Sequence, residues 1–363
     1  MSMLERRLYY YIDWALIAAM AALCAIGLAM ILSTTGGATR LYWTQIYAIV
    51  IGLVVMVAAM AIDYRSLADK SHLIYIGLIL ALVAVMLVGS RQMGAQRWLN
   101  LGFFNLQPSE FAKAVVALVL AKMLGESRRQ VLTNNELFLA CVLTAIPLLL
   151  IARQPDLGTA VTLLPVLLVV TFVAGLPLKY LGAVAIVGLL TAPVAWQFAL
   201  EDYQKERIET FLDPTQDPRG AGYQQIQARI TVGSGGLWGK GFREGTQGQL
   251  RFLPVAHNDF IFSVLAEEQG FVGVIVVLGL YLFVIMRSLE AAKLAKDRLG
   301  AYLVLGVLST FTFQVIYNIT MSAGLAPVKG LTLPLMSYGG SSMIATLAGF
   351  GLILNVRMRR FTN

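Results

Sequence analysis

A carboxylate stands where a long polar stretch gives way to strongly apolar sequence. It is Asp259, in LPVAHNDFIF at residues 253–262, and a carboxylate in such a place is costly to desolvate. Asn258 or His257 is predicted as the N-cap of the next helix, which would put Asp259 in its first turn, near the positive end of the dipole. Asp259 is therefore a candidate general base or cation ligand, the alternative being mere support of the cap and the dipole.

The segment after this carboxylate predicts a helix with a polar stripe. Ser263 and Glu267 follow Asp259 at spacings of four and eight residues, which places all three on one helical face. The sequence DFIFSVLAEEQG predicts a short helix that ends at Gly270. It forms either a half-helix before the next span or simply the first turns of that span.

A second pair of charged residues stands at the start of a short apolar run, in GAQRWLNLGFFNLQPSEFAKA at 94–114. Pro108 suits a first helical turn, and Glu110 and Lys113 are neighbours at i and i+3. One interpretation is a self-neutralised pair at a helix end. The other is that both side chains point into the cavity of Asp259, with Arg97 above them.

Asp156 precedes another apolar run, in QPDLGTA at 154–160. It is interpreted either as the capping residue of an interfacial turn or as a polar group on the same face as Asp259. The spacing does not separate the two.

The run TVGSGGLWGKGFREGTQGQ at 231–249 is rich in glycine. It lacks the GxxxxGK[ST] pattern and does not follow a strand, which excludes a nucleotide P-loop. Its glycines are interpreted as flexible turns, or as a backbone cradle in which Lys240 and Arg243 contact an anionic lipid head group.

Two prolines and four glycines interrupt apolar sequence in AGLAPVKGLTLPLMSYGGSS, at 323–342. This pattern predicts a broken or re-entrant segment that lines a cavity. Ser337 is a candidate sugar contact there, and the alternative is that it hydrogen-bonds between helices.

The composition places these side chains in a membrane protein. The chain has 363 residues, of which 58% are hydrophobic and 13% charged, against about 25% charged in soluble domains. Its net charge of +8 comes from short basic clusters between apolar runs, which is typical of cytoplasmic loops and argues against nucleic-acid binding. The two cysteines and two histidines show no disulfide or metal-ligand spacing.

Ten apolar runs predict an all-α polytopic membrane protein with ten transmembrane helices. They fall near 14–33, 42–62, 72–89, 109–124, 136–152, 158–175, 177–199, 271–288, 301–324 and 337–356. No repeat is detectable, so we expect a single integral-membrane domain over 1–363.

The lysines and arginines predict the orientation. With the N-terminus inside, fifteen of them lie in cytoplasmic segments and five in short outer loops, so both termini are expected in the cytoplasm. The long loop at about 200–257, between spans 7 and 8, is then extracytoplasmic. Loops of this length usually form lids or binding elements, and this one is expected to be a functional insertion.

Five long motifs resemble those of the SEDS family (shape, elongation, division and sporulation proteins), and its RodA branch more than its FtsW branch. The resemblance runs nearly end to end, over RWLNLG…QPSEFAK (97–113), QPDLGTA (154–160), GAGYQQIQARITVGSGGLWGKGFREGTQ (220–247), LPVAHNDFIFSVLAEEQG (253–270) and GLAPVKGLTLPLMSYGGSS (324–342). The family pattern commonly has an acid where Val255 stands and Thr where Asn258 stands. His257 and Asp259 match the pattern. Because Val255 replaces the acid, no role for a carboxylate beside Asp259 carries over.

The resemblance implies a peptidoglycan glycosyltransferase in the bacterial inner membrane that polymerises lipid II during cell elongation, with its active site facing the outer side. The 4-hydroxyl of the acceptor sugar would attack the donor's anomeric carbon, form a β-1,4 bond and expel undecaprenyl pyrophosphate. Such an inversion needs a base near the hydroxyl and positive charge near the leaving group. The candidates are Asp259 as base and Glu110 as a supporting carboxylate, with Lys113, Arg97, Lys240, Asp156, His257 and Ser337 as substrate-binding residues.

The resemblance also implies partners: lipid II, membrane lipids, a class B penicillin-binding protein transpeptidase and other cell-elongation proteins, but no nucleic acid. A divalent cation (Mg²⁺ or Mn²⁺) bridging carboxylate and pyrophosphate is an open alternative, with Asp259 and Glu110 as its candidate ligands. The rival functions are a lipid II flippase, which would need polar lining towards both leaflets, and a non-catalytic scaffold.

Overall fold

The chain folds almost entirely into helices. The structure, a computed structural model, describes residues 11–92, 95–100, 105–127, 131–177, 179–180, 182, 190–191, 193, 196–197, 202–217, 220–249, 252–253 and 256–361. The helices are α1 Trp14–Thr34, α2 Arg40–Ala61, α3 Tyr64–Asp69, α4 Ser71–Val88, α5 Pro108–Gly125, α6 Asn134–Ala152, α7 Leu157–Val161, α8 Leu163–Val173, α9 Asp202–Leu212, α10 Ala221–Ser234, α11 Thr246–Gln249, α12 Ile261–Lys293, α13 Arg298–Ser322 and α14 Gly340–Met358.

Seven helices of the described part are long and apolar enough to cross a membrane: α1, α2, α4, α6, α12, α13 and α14. A shorter apolar stretch, Leu157–Val173, corresponds to the predicted sixth span. The predicted fourth span is α5, which carries Glu110, Lys113 and Lys122. Most of the predicted seventh span, 177–199, lies outside the described residues. The prediction of an all-α polytopic membrane protein is confirmed.

Local signals explain where several helices begin. Pro108 occupies the first turn of α5. Thr133 and Glu136 form a complete capping box at α6. Asp13 and Asp297 each accept a hydrogen bond from a backbone amide at the start of α1 and α13.

The start of α12 differs from the prediction. The helix begins at Ile261 with Phe260 at the N-cap position and no side-chain cap, so Asp259 precedes it and neither Asn258 nor His257 caps it. The predicted end at Gly270 is confirmed: this residue has φ 64° and ψ −164° and breaks the helix. We call residues 261–269 the half-helix. It is followed by the longer part of α12, residues 271–293.

A small antiparallel sheet precedes α5. Its strands are β1 Ser90–Gln92, β2 Ala95–Asn100 and β3 Asn105–Leu106, with β2 in the middle. Trp98 pairs with Ser90, and Leu99 pairs with Leu106. Arg97 lies on the central strand, at the irregularity in the pairing of β1 with β2.

The long loop is folded rather than irregular in its described part. It contains α9, a 3-10 turn at Pro214–Gln216, α10 and α11, and α10 packs on α12. The segment between α13 and α14 is non-helical but enters the interior, where Leu331, Leu333 and Leu335 are almost fully buried. This confirms the predicted break, and we call residues 329–339 the inner segment.

A cluster of charges joins three helix ends far from Asp259. Arg287 and Arg357 both contact Asp13, with nitrogen–oxygen distances of 2.9 Å. Glu290 accepts from Arg287 at 2.8 Å. The cluster ties the start of α1 to the distal ends of α12 and α14, so these long helices are held together at the end opposite the half-helix.

Candidate functional site

Asp259 lies in a turn just before α12, and its side chain is half-buried. Its Oδ1 atom is enclosed and has no hydrogen-bond partner within the described residues. Burial raises the pKa of the carboxyl to about 6, and the positive charge of Arg97 opposes that rise. A carboxylate with this pKa and a free acceptor atom suits proton abstraction near neutral pH.

The inner segment holds the turn that carries Asp259. Ser337 Oγ donates to the Asn258 carbonyl at 2.6 Å, and the Tyr338 amide donates to the His257 carbonyl at 3.0 Å. The His257 ring meets the Tyr338 ring edge-on, with centroids 5.7 Å apart, and burial lowers the pKa of His257. A Cβ on Gly330 would lie 3.4 Å from Asp259 Oδ2, so the segment passes directly beside the carboxylate.

Asp156 lies in a different environment from Asp259. It caps α7 through the Thr159 amide at 3.4 Å, and its other oxygen accepts from Gln107 Nε2 at 2.9 Å. Arg97 Nη1 lies 3.8 Å from Asp156 Oδ1. Burial raises the pKa of Asp156, and the charge of Arg97 opposes it. The predicted capping role is confirmed.

Arg97 connects these two carboxylates. Its Nε donates to the Gln154 carbonyl at 3.4 Å and its Nη2 donates to the Pro155 carbonyl, and its charge acts on both Asp156 and Asp259. Arg97 is thus fixed by the loop before α7 while its field covers the Asp259 turn. An anionic group bound there would meet a guanidinium that is already positioned.

Glu110 and Lys113 form the predicted pair. Lys113 Nζ lies 2.7 Å from Glu110 Oε2 and 3.1 Å from Gln314 Oε1, and both charged side chains are buried. They line a cavity of about 20 Å³ between α5, α13 and α14, which is room for one water molecule. Asp259 is not part of its lining. Glu110 instead acts electrostatically on Asp156.

Lys240 lies at the other end of the half-helix from Asp259. Its Nζ donates to Glu267 Oε1 at 2.7 Å and to Thr246 Oγ1 at 2.9 Å. The same Glu267 oxygen accepts from the Gln247 amide at 3.1 Å. One fully buried carboxylate therefore anchors the glycine-rich stretch to the half-helix, and Lys240 is engaged in that anchor.

The glycine-rich stretch also completes the backbone of the broken helix. The amides of Lys240 and Gly241 donate to the carbonyls of Glu267 and Glu268 at 2.9 and 3.1 Å. The amide of Phe271 donates to the Gly236 carbonyl at 2.9 Å. A break at membrane depth leaves such groups unpaired unless other chain segments satisfy them. We call residues 235–241 the brace.

Three groups at the site were not identified from the sequence. Gln45 and Asn318 are buried amides that bind the inner segment, and Gln107 binds Asp156. An uncharged amide inside an apolar run is the signal that could have pointed to the first two, because polar groups there are seldom without a partner. Ser337, Ser341 and Ser342 all make hydrogen bonds within the fold.

The donor set for a cation is limited in the described residues. They contain no group of three or more His, Cys, Asp and Glu side chains that could hold a metal ion. Asp259 Oδ1 and Asn258 Oδ1 are enclosed oxygen acceptors without partners, which fits a hard cation. Glu110 fits less well, because its Oε2 already faces the Lys113 ammonium.

Comparison with known proteins yields matches along nearly the whole chain. A family model described as cell cycle protein, FTSW_RODA_SPOVE, matches residues 8–361. The peptidoglycan glycosyltransferase MrdB of Escherichia coli K12 is 40% identical over 350 residues, covering 96% of this chain and 94% of MrdB. The peptidoglycan glycosyltransferase RodA of Treponema pallidum is 34% identical, covering 96% and 98%.

Solved structures match the fold as well. One is a peptidoglycan synthase complex described by its coordination of polymerization and crosslinking; its chain superposes with a TM-score of 0.86 at 36% identity, covering 97% of this chain and 99% of that chain. Another is the rod shape-determining protein RodA of Thermus thermophilus, with a TM-score of 0.73 at 32% identity, covering 97% and 98%.

Proposed function

The chain belongs to the FtsW, RodA and SpoVE family of cell cycle proteins, and from that premise we propose that it is a peptidoglycan glycosyltransferase that polymerises lipid II. The observation that carries the proposal is the near end-to-end match to relatives named peptidoglycan glycosyltransferases. The Asp259 turn supports it, because it offers the base that an inverting transfer requires.

In the proposed reaction, Asp259 takes the proton of the acceptor's 4-hydroxyl as that oxygen attacks the donor's anomeric carbon. The new C–O bond forms the β-1,4 linkage, and the bond to the pyrophosphate oxygen breaks on the opposite face of the sugar. The proton remains on Asp259 and the electron pair leaves with undecaprenyl pyrophosphate. A base with a pKa of about 6 is largely deprotonated at neutral pH and strong enough to help this step.

Positive charge near the leaving group would come first from Arg97. Its position on β2 and its anchoring to the loop before α7 pre-organise the guanidinium, so little reorganisation accompanies charge development. Lys113 is paired with Glu110, and both line a cavity that does not include Asp259. In this proposal Glu110 is a supporting carboxylate that acts electrostatically on Asp156, and Lys240 anchors the loop to the half-helix.

A divalent cation at this site would be held by Asp259 Oδ1 with the Asn258 side-chain oxygen, and would neutralise charge on a pyrophosphate. The residues of the chain keep their roles around it. Asp259 accepts the proton and Arg97 holds the anion. The inner segment keeps both in place.

The chain is a multi-pass membrane protein, and we propose the bacterial inner membrane, with both termini cytoplasmic and the Asp259 turn facing out. A partner transpeptidase of the class B penicillin-binding type would bind outside the catalytic turn. The surface that suits it is the outer part of α12 with the brace, where Leu237, Trp238, Phe271 and Val272 are exposed. The relative seen in a peptidoglycan synthase complex that coordinates polymerization and crosslinking supports a crosslinking partner.

The test is glycan synthesis from purified lipid II by the full chain, co-purified with its transpeptidase partner. Wild type, Asp259→Asn and Asp213→Asn are compared; Asp213 caps the 3-10 turn of the loop through the Thr215 amide, and asparagine keeps that cap. We expect glycan from wild type and Asp213→Asn, and a loss of at least about 100-fold with Asp259→Asn. Equal rates for all three would remove Asp259 from the mechanism. Transport of lipid II across vesicles without glycan would support a flippase instead.

A further inference from the structure

Asn318 is buried in the last turns of α13 and contacts the main chain of the Asp259 turn. Its side chain is fully inaccessible to solvent. Its Nδ2 donates to the Asp259 carbonyl at 2.9 Å and to the Leu331 carbonyl at 2.7 Å. The reverse orientation would set Oδ1 against two carbonyl oxygens, so the two acceptors determine how the amide lies.

Gln45 of α2 holds the inner segment from the other side. Its Nε2 donates to the Ser337 carbonyl at 3.1 Å and its Oε1 accepts from the Gly339 amide at 3.1 Å. Only 1% of Gln45 is exposed. Two uncharged amides from different helices thus fasten the inner segment, and that segment in turn binds the carbonyls of His257 and Asn258.

We propose that Asn318 is a positioning residue for Asp259: by joining the Asp259 carbonyl to the inner segment it sets the place of the carboxylate. The inference rests on the proposed function for its meaning in catalysis, but the positioning itself concerns only this chain. The turn before α12 is not helical, so its carbonyls need donors from elsewhere. A primary amide supplies two donors without charge in a buried place where an ammonium would disturb the carboxylate.

The chain provides a matched control at its opposite end. Asn355 of α14 is also fully inaccessible, and its Nδ2 donates to the carbonyls of Ala59, Met60 and Ile62. Its Oδ1 also accepts from the Tyr64 amide at 3.3 Å. Asn318→Leu and Asn355→Leu therefore both remove a buried amide that donates to backbone carbonyls, and the control loses at least as many hydrogen bonds. If each substitution only destabilises the fold, both variants melt at a lower temperature but do not differ in the measurements below.

The first measurement follows Asp259 directly. The full chain in proteoliposomes is transferred to heavy water at one fixed pH, and deuterium labelling of the peptide that contains Asp259 is followed by mass spectrometry. In Asn318→Leu we expect the amides of this turn to exchange at least about tenfold faster than in wild type, because the Asp259 carbonyl loses the donor that ties the turn to α13 and the inner segment. Asn355→Leu should keep the wild-type exchange rate in this peptide.

The second measurement is glycan synthesis by the same preparations. We expect kcat to fall about 100-fold in Asn318→Leu, with KM within a factor of about three, because the base is displaced from the acceptor hydroxyl. Asn355→Leu should retain the wild-type kcat per folded molecule. Should Asn318→Leu not fold, Asn318→Ser keeps one donor, and it should raise the exchange rate of the turn less but in the same direction.

An exchange rate of the turn that is unchanged in the Asn318 variants, or raised alike in Asn355→Leu, overturns the inference. The fate of the proposed function is read separately. If wild type makes no glycan while labelling still separates Asn318→Leu from Asn355→Leu, the polymerase assignment fails and the positioning of Asp259 by Asn318 stands.

Discussion

At the scale of single residues, the two carboxylates near Arg97 differ in how many donors surround them. Asp156 accepts hydrogen bonds from Gln107 and the Thr159 amide and lies within 3.8 Å of a guanidinium nitrogen. Asp259 has an enclosed oxygen with no partner in the described part of the chain. The oxygens of Asp156 are used to organise the loop, whereas Asp259 keeps an acceptor atom free for a proton.

The burial of Asp259 has a consequence for stability that depends on pH. Its folded pKa of about 6 lies above the ordinary value of 3.8, so the folded state binds the proton more tightly than the unfolded state. Below about pH 4 the carboxyl is protonated in both states and does not change the free energy of unfolding. As the pH rises from about 4 to about 6, the unfolded state ionises first, and the free energy of unfolding therefore falls.

We therefore predict that Asp259→Asn is more stable than wild type at pH 7.5 and melts at a higher temperature, with a difference in the free energy of unfolding of about 3 kcal/mol. The difference should shrink as the pH is lowered to 5, because wild type then carries a proton on Asp259. Thermal unfolding of both proteins in detergent, followed by intrinsic fluorescence at several pH values, measures this. An asparagine variant that melts below wild type at pH 7.5 would contradict it.

At the scale of elements, the brace explains why a glycine-rich stretch lies beside a broken helix. A Cβ on Gly235 would overlap the Ala266 carbonyl oxygen, and one on Gly239 would overlap the Glu268 carbonyl oxygen. Only glycine lets two backbones come this close. The brace therefore fixes the half-helix to the loop through main-chain contacts, and Glu267 adds the side-chain anchor.

We predict that Gly235→Ala loosens this contact, whereas Gly233→Ala, two residues earlier, does not. Gly233 is inside α10 with no atom within 4 Å of an added Cβ, so alanine should be neutral or stabilise by up to about 1 kcal/mol. Alanine at Gly235 forces the backbones apart and should cost about 2 kcal/mol or more.

Limited proteolysis of the loop and apparent melting temperature are the readouts for this pair. Cleavage between α10 and α11 should accelerate in Gly235→Ala only. Equal protection in both variants would show that the brace tolerates a wider separation than its geometry indicates.

The same elements show what sequence patterns could and could not predict. Apolar runs predicted the spans, Pro108 the start of α5 and Gly270 the break, because each signal acts within a few residues. The start of α12 was predicted wrongly. The carbonyls of residues 257–259 accept from Tyr338, Ser337 and Asn318, so the first helical acceptor is Phe260. Those donors lie about sixty to eighty residues away, and no local pattern reveals them.

The site was predicted unevenly for the same reason. Arg97 lies 3.8 Å from Asp156, and its charge acts on Asp259; the resemblance directed attention to all three residues, whereas the spacing left the role of Asp156 open. The alternative that Glu110 and Lys113 point into a cavity shared with Asp259 is not supported, because Asp259 does not line the cavity of this pair. The position of the Asp259 turn depends on α13 and the inner segment, and the spacing of two residues on one helix does not reveal it. The substrate roles of all these residues remain predictions.

At the scale of the whole molecule, the charge cluster lies at one end of α12 and the Asp259 turn lies at the other. The half-helix is at the N-terminal end of α12, and Arg287, which belongs to the cluster with Asp13 and Arg357, is near its C-terminal end. Most of residues 271–293 lie between the two. If fifteen of the basic residues mark the cytoplasmic side, the cluster lies inside and the brace outside.

We predict that Trp238→Cys reacts from the outer face and Lys293→Cys only from the inner face. Both positions are exposed, and the native cysteines would first be replaced by alanine. A membrane-impermeant maleimide applied to intact spheroplasts should label the first variant, and permeabilisation should be needed for the second. The reverse pattern would invert the proposed orientation.

The break at Gly270 also bears on how the protein meets membranes of different thickness. The 23 residues from 271 to 293 make a rod of about 34 Å, slightly longer than a typical hydrocarbon layer, and such a rod adapts by tilting. In an unbroken helix that tilt would displace the Asp259 turn parallel to the membrane plane. Here the tilt ends at Gly270, and we expect the catalytic rate in reconstituted vesicles to change little as the acyl chains of the lipid are lengthened or shortened.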